Sequence, residues 1–273
     1  MAGAQIPLPV HAAAPKGQDF AMLFDAARCI GCKACQVACK QWNDLPGEET
    51  TNRGTYENPL FLTADTWLKM HFTEGTQGEE IFWHFTRNSC MHCTSAPCVG
   101  SCPTGAIAPR PGGVVLIDDR QCIGCRACVQ ACPWDAVHMD KKTGVVKKCT
   151  LCYDRVNNGL EPACVQSCPT DALLFGSYQE MRAHAERRVE ELKARGYPRA
   201  NLYGDQAGGT HVMYVLREHP SAYGLPTAVK GQRAKTVEKW SFGALAAAAL
   251  SLLGFRWLSE RREALQKDKE EEA

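Results

Sequence analysis

What this 273-residue sequence lacks narrows its chemistry first. It has almost no net charge: 31 Lys and Arg against 30 Asp and Glu leave +1 at pH 7, with a pI near 7.5. No basic field gathers nucleic acid and no acidic field gathers a cationic partner, so nucleic-acid binding is not expected. No pterin-binding or flavin-binding motif is present, which argues against catalysis by this chain and against a small-molecule substrate of its own. The first 20 residues have no basic start followed by an apolar core; no secretory signal peptide is expected, and the chain is not expected to export itself. Finally, no cysteine stands apart. All 16 fall into four groups, with no remainder.

A hydrophobic content of 45% is ordinary for a folded chain, but this use of cysteine demands a covalent or metal role. Disulfides, zinc and iron-sulfur clusters compete, and spacing separates them. Cys29, Cys32, Cys35 and Cys39 have the steps +3, +3 and +4, as do Cys122, Cys125, Cys128 and Cys132; this is the bacterial ferredoxin run. In Cys90, Cys93, Cys98 and Cys102 the middle gap widens, and in Cys149, Cys152, Cys164 and Cys168 it opens further. Pro103, Pro133 and Pro169 follow the last cysteine of three groups. Three thiolates on a looping backbone reach three corners of a cubane, and the fourth corner comes from elsewhere, so motifs work in pairs and four motifs imply four 4Fe-4S clusters. A zinc ribbon has no use for a third cysteine three residues later. Cysteines three apart, repeated as Cys-Ile-Gly-Cys, seldom suit disulfide geometry.

Internal repetition agrees with this reading. Cys29-Ile30-Gly31-Cys32 recurs as Cys122-Ile123-Gly124-Cys125, and Ser101-Cys102-Pro103-Thr104 recurs as Ser167-Cys168-Pro169-Thr170. The pattern suggests a duplicated two-motif unit, and leaves open which motifs share clusters. Apolar runs at Phe20 to Phe24, Val114 to Ile117, Val137 to Met139, Val145 to Val146 and Leu173 to Phe175 read as short strands. The expected fold is α+β: tandem ferredoxin-like 4Fe-4S units over 20–175, stabilised largely by metal coordination, with a C-terminal single transmembrane helix. Residues 1–19 form an N-terminal extension.

Lys33, Arg126, Lys147, Lys148 and Arg155 lie beside the candidate ligands, where positive charge offsets a negative cluster or simply faces solvent. His92, inside Cys90-Met91-His92-Cys93, reads as a packed residue rather than a ligand, because cysteine supplies every corner. The insertion 40–89 holds Trp42, Tyr56, Phe61, Trp67, Phe72, Phe82 and Trp83. It is too aromatic for a linker, and two readings stand: a partner-contacting surface and a cover over the clusters. In 176–229, Ser177 with Glu180 makes a capping box for a docking helix ending at Gly196, its charge run Glu186 to Glu191 being a solvated face; a strand follows at His211 to Leu216. The segment 230–258 is a linker and anchor: Trp240 to Leu258 is apolar with Arg256 its only charge, and reads as a membrane span or as a packed Ala-rich helix. The flanking Lys and Arg balance, so charge does not orient the span; 259–273 is a polar tail.

Several segments together resemble the iron-sulfur beta subunit of respiratory, membrane-bound formate dehydrogenases, within the broader family of four-cluster subunits of molybdoenzymes. They are Cys29-Ile-Gly-Cys-Lys-Ala-Cys-Gln-Val-Ala-Cys39, Lys148-Cys-Thr-Leu-Cys152 with Asp154-Arg155-Val156, Glu161-Pro-Ala-Cys164, Leu192-Lys-Ala-Arg-Gly-Tyr197 and Gly209-Thr-His-Val-Met-Tyr-Val-Leu216. The resemblance implies a heterotrimer: a catalytic alpha subunit with a molybdenum or tungsten pterin, this chain as a relay, and a cytochrome b gamma subunit passing electrons to quinone. It also implies ligand sets: Cys29, Cys32, Cys35 with Cys168; Cys39, Cys149, Cys152, Cys164; Cys90, Cys93, Cys98 with Cys132; and Cys102 with Cys122, Cys125, Cys128. Transfer would start at the first of these and end at the last. In nitrate-reductase-like relatives a tryptophan replaces the residue matching Cys125 and the cluster loses an iron; Cys125 implies four full cubanes here. The family further implies a bacterial inner-membrane protein with a periplasmic cluster domain and a cytoplasmic tail. Because the periplasm oxidises thiols, the clusters would be inserted first and the folded chain exported on a signal carried by alpha. The rivals are the same relay serving a sulfur-compound reductase or a hydrogenase, a free polyferredoxin, and a zinc-bound assembly module.

Overall fold

The computed structural model describes residues 18–227 other than Gly78, together with Val229. The expected span Trp240 to Leu258, the tail 259–273 and most of the N-terminal extension lie outside the described residues. Among those described, no helix is long and apolar enough to cross a membrane.

The chain begins with β1, Phe20–Asp25, whose six residues are all buried. Strict alternation explains how. Phe20, Met22 and Phe24 face the cysteine-bearing loops, while Ala21 and Leu23 face a helix on the opposite side. The first cysteine group leads into α1, Ala34–Trp42. The insertion then folds as a hairpin of β2, Leu68–Gln77, and β3, Glu80–Ser89, in register from Leu68 opposite Ser89. The second group leads through α2, Pro97–Gly100, to β4, Ile107–Arg110, which pairs with β5, Val114–Ile117. The third group carries α3, Ala127–Ala131, and β6, His138–Met139, pairs with β7, Val146–Lys147, before the fourth group. Two short helices, α4 at Tyr153–Asn157 and α5 at Ala163–Gln166, separate its cysteines. Then come β8, Leu173–Ser177, α6, Tyr178–Ala194, β9, Asn201–Tyr203, and β10, Val212–Leu216.

These pieces close on themselves in a nested way. β8 returns antiparallel to β1, and the sheet order is β8-β1-β10-β9, with β10 parallel to β1. α1 packs on α5, and α2 on α3, so the first cysteine group meets the fourth and the second meets the third. The result is a mixed helix and strand fold of tandem ferredoxin-like units, as expected; the strands foreseen at 20, 114, 137, 145, 173 and 211 each fall within a residue or two of their places.

The helix foreseen after Ser177 is α6. Ser177 Oγ accepts from the Glu180 amide at 3.3 Å and donates to the Glu180 carboxylate at 2.8 Å. Met181, Ala185, Val189 and Leu192 pack on Leu23, Leu174, Met213 and Val215. What this helix docks against is the chain's own sheet. Within its charge run, Arg188 reaches Asp25 at 2.7 Å and Glu191 at 2.8 Å, pinning α6 to β1.

Candidate functional site

The cysteine loops share one turn. In the first Cys-x-x-Cys knuckle of each group the residue before the second cysteine is left-handed: Gly31 at φ 67°, His92 at 46°, Gly124 at 68° and Leu151 at 54°. This turn folds an amide onto the first cysteine, so that Gly31, His92 and Leu151 N–H donate to the sulfurs of Cys29, Cys90 and Cys149, each at 3.4 Å. Glycine takes the conformation without strain, and a Cβ at Gly124 would stand 2.3 Å from the Gly144 carbonyl oxygen. His92 and Leu151 hold it at a cost of roughly 1–2 kcal/mol each. A second turn follows each Cys-Pro. Gly105, Asp135 and Asp171, each three residues beyond Cys102, Cys132 and Cys168, have φ of 67°, 47° and 49°. Proline presets the bend, and the third residue turns the chain back.

These loops gather the sulfurs into quartets. Cys29, Cys32, Cys35 and Cys168 line a hollow with Met70 and Lys33. Cys39, Cys149, Cys152 and Cys164 line another with Trp67 and Arg87. Cys102, Cys122, Cys125 and Cys128 line a third with Ile107 and Val146. Cys93 feels the charges of Cys90, Cys98 and Cys132, which completes a fourth set. Three hollows, each lined by four sulfurs, fit one kind of guest. Among the described residues, no three such donors converge as ligands of a single ion do.

The quartets stand in file. Cys35, Cys39, Cys164 and Cys93 share one buried cluster, Cys90 and Cys149 another, Cys98 and Cys128 a third. The first cluster joins the first three sets, the second joins the second and third, and the last joins the third and fourth. The file is buried at its middle and open at its ends, where Cys32 and Cys125 are exposed beside Ile30 and Ile123, at 59% and 67% exposure.

Burial and mutual repulsion make these poor sites for bare thiolates. Burial pushes Cys35, Cys98 and Cys152 up to about 12, and Cys29 and Cys128 up to about 11. At Cys102 burial is outweighed by hydrogen bonds from the Thr104 hydroxyl and nearby amides, and its thiol lies below the ordinary value. Iron inverts this logic, because a bound cation deprotonates the thiol it ligates. Soft sulfur donors, four to a hollow, with amides aimed at the sulfurs, fit a 4Fe-4S cluster.

Of the flanking cations picked out in the sequence, Lys148 is buried; its Nζ donates to the Val115 and Cys149 carbonyls, and its charge favours the Cys90 thiolate. Arg155 is also buried, stacked 4.2 Å over the Trp42 ring and donating to the Glu161 carbonyl and Gln166. Lys147 pairs with Asp119, Lys33 donates to the Tyr56 carbonyl, and Arg126 is exposed. His92 is buried; its Nδ1 accepts from the Val115 amide at 3.1 Å, and its carbonyl accepts from His211. The insertion does two things: Phe72 and Phe85 pack inward, while Tyr56, Phe61 and Ile81 are exposed. Sequence reasoning missed Arg87, which β3 carries to the second hollow. Nothing marks it locally, since it lies far along the chain from Cys35, Cys149 and Cys164.

Two 4Fe-4S dicluster domain families match the chain, over residues 28–106 and 81–178. The chain is similar to the formate dehydrogenase-O iron-sulfur subunit of Escherichia coli (strain K12), 43% identical over 236 residues covering 83% of this chain and 78% of that protein. It is similar to the nitrate-inducible formate dehydrogenase iron-sulfur subunit of the same organism, at 45% over 235 residues, 84% and 80% of the two proteins. With a subunit of the anaerobic dimethyl sulfoxide reductase of Haemophilus influenzae it shares 39% over 165 residues, 60% of this chain and 77% of that subunit.

Proposed function

Because the chain belongs to the family of formate dehydrogenase iron-sulfur subunits, we propose that it relays electrons from a molybdenum- or tungsten-pterin catalytic subunit to a membrane cytochrome b subunit and quinone. It is an electron-transfer subunit of an enzyme complex, not the subunit that acts on substrate. The observation that carries the relay is the file of cysteine quartets, buried in the middle and open at both ends.

When bound, 4Fe-4S clusters supply one-electron redox chemistry of iron. The chain's own residues do the rest. Cys29, Cys32, Cys35 and Cys168 hold one cluster; Cys39, Cys149, Cys152 and Cys164 a second; Cys90, Cys93, Cys98 and Cys132 a third; and Cys102, Cys122, Cys125 and Cys128 a fourth. Support for these sets comes from the three hollows and from the mutual fields of Cys90, Cys93, Cys98 and Cys132. Trp67, Arg87 and Leu151 keep water from the second set, and Met70 shields the inner side of the first. Exposed Ile30 and the aromatic face of the insertion meet the catalytic subunit, and Ile123 meets the cytochrome subunit.

In this reading the complex is a heterotrimer of the bacterial inner membrane, anchored in part by Trp240 to Leu258, with the cluster domain in the periplasm and 259–273 in the cytoplasm. Support comes from the apolar run in the sequence and from the family. The folded chain is exported with its catalytic partner, which bears the signal. Purifying the native complex without oxygen tests the whole. Formate oxidation coupled to quinone, with at least about sixteen non-haem irons per copy of this chain, is the expected result; a copurifying catalytic subunit that does not oxidise formate, or non-haem iron well below that, overturns it.

A further inference from the structure

A buried charge needs an opposite charge nearby, or it is expensive. Arg87 is 1% exposed, and among the described residues no carboxylate lies within ion-pair distance of it. Its Nη1 donates to Ser89 Oγ, and its Nη2 lies 3.9 Å from Cys164 Sγ. Its Nε has no partner. The Tyr214 hydroxyl donates to its main-chain carbonyl, which fixes that point of β3 against β10. The ionisable groups that face this guanidinium are the thiols of Cys164 and Cys149 of the second set and of Cys35 of the first, with the Tyr214 hydroxyl. A cation so placed makes sense only when the hollow it lines carries negative charge.

We propose that Arg87 is a potential-setting cation. Held by β3, Ser89 and Tyr214, it raises the reduction potential at the Cys39, Cys149, Cys152 and Cys164 site, and to a lesser degree at the neighbouring Cys35-containing site. The step it biases is uptake of one electron, with no proton moved: one negative charge is added to the hollow, and a fixed positive charge stabilises the reduced state more than the oxidised one. Arginine suits the role because its guanidinium stays protonated and is weakly hydrated, so its burial is less costly than that of an ammonium. Arg87 is thus a positioning and tuning residue that touches ligand sulfur rather than a ligand.

This inference rests on the four-cluster reading, and two measurements on one sample keep the two apart. Iron content tests the clusters; potentiometry followed by electron paramagnetic resonance tests Arg87. In an iron-replete Arg87→Gln complex, one reduction step is expected to become at least tenfold less favourable, about 59 mV lower for one electron, a second to shift less, and two to stay. Arg87→Lys, keeping the charge, restores at least half of the shift. Four unmoved potentials, or four that move alike, overturn the proposal while leaving the clusters standing; iron far below about sixteen in the wild-type complex overturns the cluster reading instead. Should Arg87→Gln fail to assemble, complex carrying Arg126→Gln and made with arginine ¹⁵N-labelled only in its guanidinium decides by electron spin-echo modulation. A ¹⁵N coupling strongest on one cluster signal is the expected result, and no coupling on any signal refutes the role.

Discussion

The hollow of Cys39, Cys149, Cys152 and Cys164 and that of Cys102, Cys122, Cys125 and Cys128 offer the same four donors, yet their walls differ. In the first, all four cysteines are buried, and Met22, Trp67, Arg87 and Leu151 close around them. In the second, Cys125 is exposed, Cys102 and Cys122 are half-buried, and the rim includes exposed Ile123 and Arg126. Identical ligands in unlike surroundings are how a protein gives chemically equivalent sites different potentials. Burial also sets how much folding depends on each site, since metal coordination stands in for a core where the core is cysteine.

The sharpest break of this comparison is to remove one ligand from each. Cys164→Ala should empty the buried site, leave no more than about twelve irons per chain, and lower the melting temperature of the complex by more than 10 °C, roughly, because the hollow lies in the main core. Cys125→Ala should also lose iron but melt within about 5 °C of wild type. Iron analysis and calorimetry on anaerobic samples decide it, and equal melting losses would erase the distinction.

A smaller effect is expected from the turns. Gly124→Ala puts a Cβ 2.3 Å from the Gly144 carbonyl oxygen at a left-handed φ, and should cost about 3 kcal/mol. Gly144→Ala, with the same sign of φ but nothing within 4 Å, should cost only about 1–2 kcal/mol. Denaturant titration of the two variants ranks them, and the reverse order would refute the geometry.

The cover beside the first cysteine group is tied down by Glu57. Its carboxylate accepts from Lys69 Nζ and from the Phe72 amide at 3.0 Å, and it meets His71 Nδ1 at 2.5 Å. Burial alone would push its carboxyl up, but the Lys69 and Phe72 hydrogen bonds hold it below the usual range. Such a group stabilises fully above the ordinary Glu value of about 4.3, and the contribution fades as pH falls through the depressed folded value. Glu57→Gln should therefore cost about 2 kcal/mol, equally at pH 6, 7 and 8. A deficit that grows or shrinks across that window would mean another group titrates with it.

The smallest effect belongs to Lys147, which sits one residue from Lys148 yet pairs with Asp119 at a half-exposed surface. Lys147→Ala should change stability by less than about 0.5 kcal/mol and leave all four potentials where they were. A moved potential would show that surface charge counts at the outer sites.

Much of the local structure is legible in the residues themselves. The alternation in Phe20 to Phe24, the Ser177 capping box and the Cys-Ile-Gly-Cys repeats each predict local structure that the fold contains, because strand pleat, helix cap and left-handed turn are properties of a few adjacent residues. The β2–β3 hairpin reads in sequence only as an aromatic insertion, without strands, because Gly75 and its mixed neighbours hide the period. Arg87 is not legible, since its meaning depends on partners 77 residues away in Cys164 and 127 away in Tyr214.

By itself the sequence determined the donors, their number and the turns that present them, since thiol chemistry and backbone sterics act over three or four residues. Only the tertiary structure decided the nesting of the first cysteine group with the fourth and the second with the third. The same holds for which walls would be buried, charged or open. Those follow from how β1 takes β8 and β10 as neighbours and from where the hairpin lies, and such long-range contacts are chosen by the burial of whole surfaces, not by any short stretch of chain.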